Sequence, residues 1–233
     1  MRRPGLPLRP RRSRARRLAT RILRPSGTDV LGFVAVGVTV AAVVLEYWHV
    51  WRRGHAPRPR ERDEWFGAGA EAARETVSVA VAGYRSSTAR ENALLNLLLA
   101  YALSAATARM STHTIRARGT FGPFRNARVG DRHIHHFVPG IGLAFVAGAV
   151  SIVTRNESLD RWLALPFGAG MALTLDEAAL LVELEDVYWS EEGVLSVQIT
   201  LGTLALLGAL GVGLRMMRRG EQQVFVAPVG SAG

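Results

Sequence analysis

The sequence predicts an all-α protein, a polytopic transmembrane bundle of about five spans with one further helix on the membrane surface, and three features of its 233 residues point there. Several nearly uncharged runs approach the roughly 20 residues that cross about 30 Å of hydrocarbon. Arginines close these runs, and Tyr and Trp residues sit beside them as interfacial belts. The segments between them are rich in Arg, Pro and Gly, the composition of polar connections.

Taken in order, residues 1–27 carry ten Arg, three Pro before residue 11 and no acid, so they read as a disordered basic tail lying on anionic lipid. An apolar run follows at once and no small-residue cleavage site interrupts it, which makes it an uncleaved anchor and disfavours a nucleic-acid arm. Residues 28–219 are the transmembrane helical domain. Its first span covers 28–48 and ends in a belt of Tyr47, Trp48 and Trp51 closed by Arg52 and Arg53. Residues 66–84 form an interfacial helix, because Glu71, Arg74 and Glu75 make crossing costly. The second span, 91–108, is Leu-rich and stops at Arg109; a basic loop with Gly119, Gly122 and Pro123 follows. The remaining spans are expected near 134–153, 162–184 and 194–214, and residues 220–233 read as a flexible C-terminal tail.

All 29 basic residues are Arg, and Cys is absent. Disulfides and thiolate metal sites are thereby excluded, so any metal must be held by imidazole and carboxylate. Five spans with the N-terminus inside put sixteen Arg in the cytoplasm and thirteen outside. The short basic loop before the histidines favours that orientation, since short loops obey the positive-inside rule best. A bacterial plasma membrane is the expected location, with anionic headgroups at the tail and loops as partners and homo-oligomerisation through small-residue helix faces.

Two stretches carry chemistry. In "RHIHHFVPG" the histidines His133, His135 and His136 stand where the basic loop meets the third span. In "GAGMALTLDEAALLVELEDVYW" Asp176 and Glu177 interrupt the fourth span, at about 2.5 to 3.5 kcal/mol for a charged acid at mid-span, so protonation, a positive partner or a metal must compensate them. The short link "TRNESLDR" makes the two spans an antiparallel hairpin, with level positions summing to about 315. His136 then lies opposite Ala179, within a turn of Asp176 and Glu183, and His133 opposite Val182, beside Glu183 and Asp186. Gly140, Ala144 and Gly148 repeat the spacing of four from His136, as Gly168 and Ala172 do towards Asp176. If these small stripes face each other, His136 meets Asp176.

These residues form a metal-free ion-pair or hydrogen-bond network, a metal site on His133, His136, Asp176 and Glu183, or a solvated cluster beside a neutral Asp176. Zinc, iron or manganese would suit such N and O donors. Arg116, Arg118, Arg125, Arg128 and Arg132 offer guanidinium groups to a phosphate or lipid headgroup, or serve as topology signals.

The stretches "GPFRNARVGDRHIHHFVPGIGL" and "GAGMALTLDEAALLVELEDVYWSEEG" together resemble a family of uncharacterised actinobacterial integral membrane proteins, over roughly residues 90–200. The resemblance implies importance for His133, His135, His136, Asp176, Glu177 and Asp186, and no particular activity. The functional expectation is transport, ion sensing or assembly around the His and carboxylate site. The alternative is an interfacial metal-dependent hydrolase of a phosphate-bearing lipid, in which the metal activates water. Ser and Thr are scattered without a partnered base, so covalent catalysis is the weakest class.

Overall fold

A computed structural model describes residues 27–57, 64–118, 128–129, 132–133, 137–176 and 191–226. Six α-helices make up nearly all of it: α1 (Gly27–Arg53), α2 (Trp65–Ser86), α3 (Ala89–Arg118), α4 (Phe137–Thr154), α5 (Glu157–Asp176) and α6 (Glu191–Glu221), the last continued by a π-helical turn, Gln222–Val226. Between α3 and α4, the two-residue strands β1 (Arg128–Val129) and β2 (Arg132–His133) pair antiparallel, with Arg128 opposite His133.

Local chemistry explains the helix ends. Thr88 and Glu91 form a reciprocal capping box at the start of α3, Glu91 N–H donating to Thr88 Oγ1 at 3.2 Å and Thr88 N–H to Glu91 Oε2 at 3.1 Å. Helix α4 ends with Arg155 in the left-handed region (φ 47°), its N–H donating to Ser151 O at 3.0 Å. Asn156 then caps α5, its Oδ1 accepting from the backbone N–H of Ser158 and Leu159. The hairpin link is therefore two residues, Arg155 and Asn156.

Apart from α2, successive helices alternate in direction. One end of the bundle gathers Arg53, Glu91, Arg219 and Glu221; the other gathers Arg109, Asp176 and Gln198. Helix α5 packs between α3 and α4, and α3 packs between α5 and α6. Helix α6 also carries α1 and α2, while α1 hardly touches α3. Every contact of α2 named here falls at the first end: Tyr47 Oη donates to Gly69 O at 3.0 Å, and Gly83 crosses Met216 and Gly220 backbone to backbone.

What is buried is small. The interior is mostly Ala and Gly, with Val50, Val79 and Asn92 the largest side chains fully enclosed. Large apolar side chains point outwards instead: Phe33 is 73% exposed, Phe145 76% and Val153 81%. That inversion fits lipid as the solvent, where helices associate through close backbone approach rather than by hiding Leu and Phe from water.

Four helices are long and apolar enough to cross a membrane: Val30–Arg53, Ala89–Ser111, Phe137–Thr154 and Val197–Phe225. Helix α5 falls outside that set because Glu157, Asp160 and Arg161 occupy its first turns and Asp176 its end. Two expectations need correction. Residues 220–226 are helical rather than a flexible tail, since Gly220 packs on Val79 and Gly83, and Glu221 is gripped by Arg53 and His49. Arg116 and Arg118 ride the end of α3 rather than a loop, because the polar helix simply continues past its apolar segment.

Candidate functional site

Asp176 closes the described part of α5 with its side chain only 7% exposed. Its partner is Arg109 of α3, whose Nε lies 2.6 Å from Asp176 Oδ1. The N–H axis is not aligned for a hydrogen bond, so the contact is a close charge pair. From α6, Gln198 Nε2 donates to Asp176 O and, at 3.5 Å, to Leu175 O. It thereby satisfies helix-terminal carbonyls that α5 cannot pair internally. Just below, Tyr101, Ala172 and Ala205 form a buried cluster that brings α3, α5 and α6 together under the polar group.

The arrangement follows from helix geometry. Tyr101, Ala105 and Arg109 recur every four residues on α3, and Gly168, Ala172 and Asp176 do so on α5, so each set lines one face. The two faces meet: a Cβ on Gly168 would collide with Leu97 O of α3. This corrects the expectation that the Gly168, Ala172 and Asp176 stripe faces α4. The face turned to α4 is that of Gly170, where a Cβ would lie 2.6 Å from both Ala144 N and Gly140 O. The Gly140, Ala144 and Gly148 stripe does face α5, as expected; Gly148 lies against Phe167.

Arg109 and Asp176 also wall a cavity of about 430 Å³ between α1, α3 and α6, lined otherwise by Gln198, Thr203 and apolar residues such as Phe33, Leu103 and Ile199. A pair of opposite charges in such a place can be opened by protonating the acid, by an ion, or by a ligand that competes for the guanidinium.

The other expected site residues are distributed as follows. His135, His136, Glu177, Glu183, Asp186 and Arg125 lie outside the described residues. His133, Arg128 and Arg132 are described in backbone, on the paired strands. Among the described residues no three His, Asp or Glu side chains are grouped closely enough to hold a metal. Sequence reasoning missed Arg109, read as a stop signal, and Gln198; the recurrence of Tyr101, Ala105 and Arg109 was the signal available for the former.

The opposite end carries its own polar layer. Arg219 grips Glu91 through both nitrogens, at 2.7 and 2.9 Å. Glu221, buried, takes Arg53 at 3.2 Å and His49 at 3.4 Å. Asn96 Nδ2 donates to Tyr84 Oη at 2.9 Å and to Arg161 O at 2.7 Å. No family model, curated protein or solved structure matches the chain.

Proposed function

We propose that this chain is a five-span protein of a bacterial plasma membrane, with its N-terminus in the cytoplasm, in which Asp176 and Arg109 form an ion-responsive junction for transport or ion sensing. The observation that carries the reading is the position of the pair: a carboxylate 7% exposed, 2.6 Å from a guanidinium, on the wall of a cavity between helices. Charges buried between spanning helices, here close to the helix ends, are costly and mark ion or proton pathways. Counting α5 as the fourth span rests on its packing between α3, which it parallels, and α4, to which it is antiparallel. The short basic loop before the histidines, on the side of the N-terminal tail, supports the orientation, since sixteen Arg against thirteen is too even a division to decide it.

In this mechanism protonation or ion binding at Asp176 frees Arg109, and the contact between α3 and α5 loosens at that end. The histidines His133, His135 and His136 extend the responsive set, as do Glu177, Glu183 and Asp186. The hydrolase reading would require Asp176 to leave Arg109 for a metal, so the pair favours the ion-responsive one. The test is proton and cation flux in proteoliposomes holding wild type, Asp176→Asn or Arg109→Gln. Flux that depends on the pH gradient in wild type and drops at least tenfold in Asp176→Asn is expected, since about 1.4 kcal/mol of altered coupling corresponds to that factor. Equal flux in all three proteins would falsify the proposal.

A further inference from the structure

The cavity beside the pair has an architecture that ion passage does not use. Helices α1 and α3 both lean on α6 and hardly touch each other, which leaves a lateral groove open along the side of the bundle. Its walls are apolar and face outwards: Phe33, Val36 and Leu103 are 73%, 54% and 66% exposed. Gly202 forms part of the floor, and a Cβ added there would meet nothing within 4 Å. The groove is thus a slot rather than a packed seam.

Its polar end lies at headgroup depth. Arg109 stands two residues before the apolar segment Ala89–Ser111 ends, and Gln198 is the second residue of Val197–Phe225. Arg109 is 41% exposed, and its closest approach to Asp176 is through Nε. No hydrogen bond from its two Nη groups is formed among the described residues. A guanidinium carries five N–H donors in a fork suited to phosphate. Helix α3 then runs on to Arg116 and Arg118, adding positive charge on the same side of the bilayer.

We propose that the groove binds one anionic phospholipid of the surrounding bilayer, an acyl chain lying along Phe33, Leu103 and Gly202 and the phosphate on the Nη groups of Arg109. Apolar length below and unspent guanidinium donors at the interface match both halves of such a molecule, while a zwitterionic lipid matches the slot with a weaker attraction at its mouth. The lipid would fill the gap that α1 and α3 leave, bracing α1 against the bundle. The site shares Arg109 with the flux reading, and Gly202 belongs to the groove alone, so a change at Gly202 tests the lipid site apart from the charge pair.

The experiment is native mass spectrometry of the full chain reconstituted with equal phosphatidylglycerol and phosphatidylcholine, then extracted in mild detergent. One tightly retained phosphatidylglycerol per chain is expected. Arg109→Gln should lower the preference about fivefold, the effect of one interfacial arginine. Gly202→Phe fills the slot without touching the pair; it should abolish retention of both lipids while helix content and thermal midpoint hold. Equal retention of the two lipids by wild type, or undiminished retention by Gly202→Phe, overturns the proposal. So does a lipid-free dimer that Gly202→Phe dissociates, which would give the groove to a second copy of the chain.

Discussion

Helix α5 turns Gly170 towards α4 and Gly168, Ala172 and Asp176 towards α3, and the two contacts differ in kind. Towards α4 the contact is mainly steric: Gly140, Ala144 and Gly170 bring the backbones together, Phe167 is set against Gly148, and one hydrogen bond, Ser151 Oγ donating to Asp160 Oδ1 at 2.6 Å, ties the helices beside the hairpin turn. Towards α3 it begins sterically at Gly168 and Leu97, passes through Tyr101, and ends in the Arg109 and Asp176 charge pair. Close packing of small residues has no adjustable setting, whereas a charge pair responds to pH, ions and ligands. The α4 face is therefore the fixed wall of the bundle, and the α3 face is where it can respond.

The largest effect should come from Gly168→Leu, which drives a side chain into the Leu97 carbonyl. A loss of about 3 kcal/mol, at the upper end of overpacking costs, is expected in detergent unfolding experiments. A loss below about 0.5 kcal/mol would mean the two helices part easily and would remove the steric half of the α3 contact.

Next, Asp176→Ala strands a partly buried guanidinium and should cost about 2 kcal/mol, between the values for exposed and fully buried pairs. Added to Arg109→Ala, it should be clearly less than additive in a double-mutant cycle. Strict additivity would show that the 2.6 Å approach carries no coupling. The smallest effect is reserved for Gly148→Ala, whose new Cβ would stand 3.3 Å from the Phe167 ring. Because a ring edge can yield where backbone cannot, a change within about 0.5 kcal/mol is expected. A large loss there would make the wall even stiffer than described.

Much of this architecture is legible in the sequence because lipid imposes simple demands. Uncharged length locates α1, α3, α4 and α6, and the charges of α2 mark it as something other than a span. The hairpin register is also readable. Level positions summing to about 315 agree within a turn with Gly148 against Phe167 and Gly140 against Gly170 and Thr174.

What the sequence does not reveal is azimuth. Gly168 and Gly170 are two residues apart, hence about 200° around the helix, and either could face either neighbour. The hairpin forces α4 to be adjacent, but α3 is brought to the other side of α5 only by tertiary packing. For that reason the pairing of Asp176 with Arg109 was hidden while the need for some partner was plain. The histidines His135 and His136 lie outside the described residues, so their relation to Asp176 rests on register alone.

Helix α6 supplies the main contacts of α1 and the larger share of those of α2, and it also packs on α3, yet it follows all of them in the chain. During synthesis, then, the first two helices and the α3, α4 and α5 trio would enter the bilayer as separate rafts with little to hold one to the other. Insertion of the final helix is the step that joins them. Quality control acting before that moment would meet two half-built pieces rather than one loose bundle.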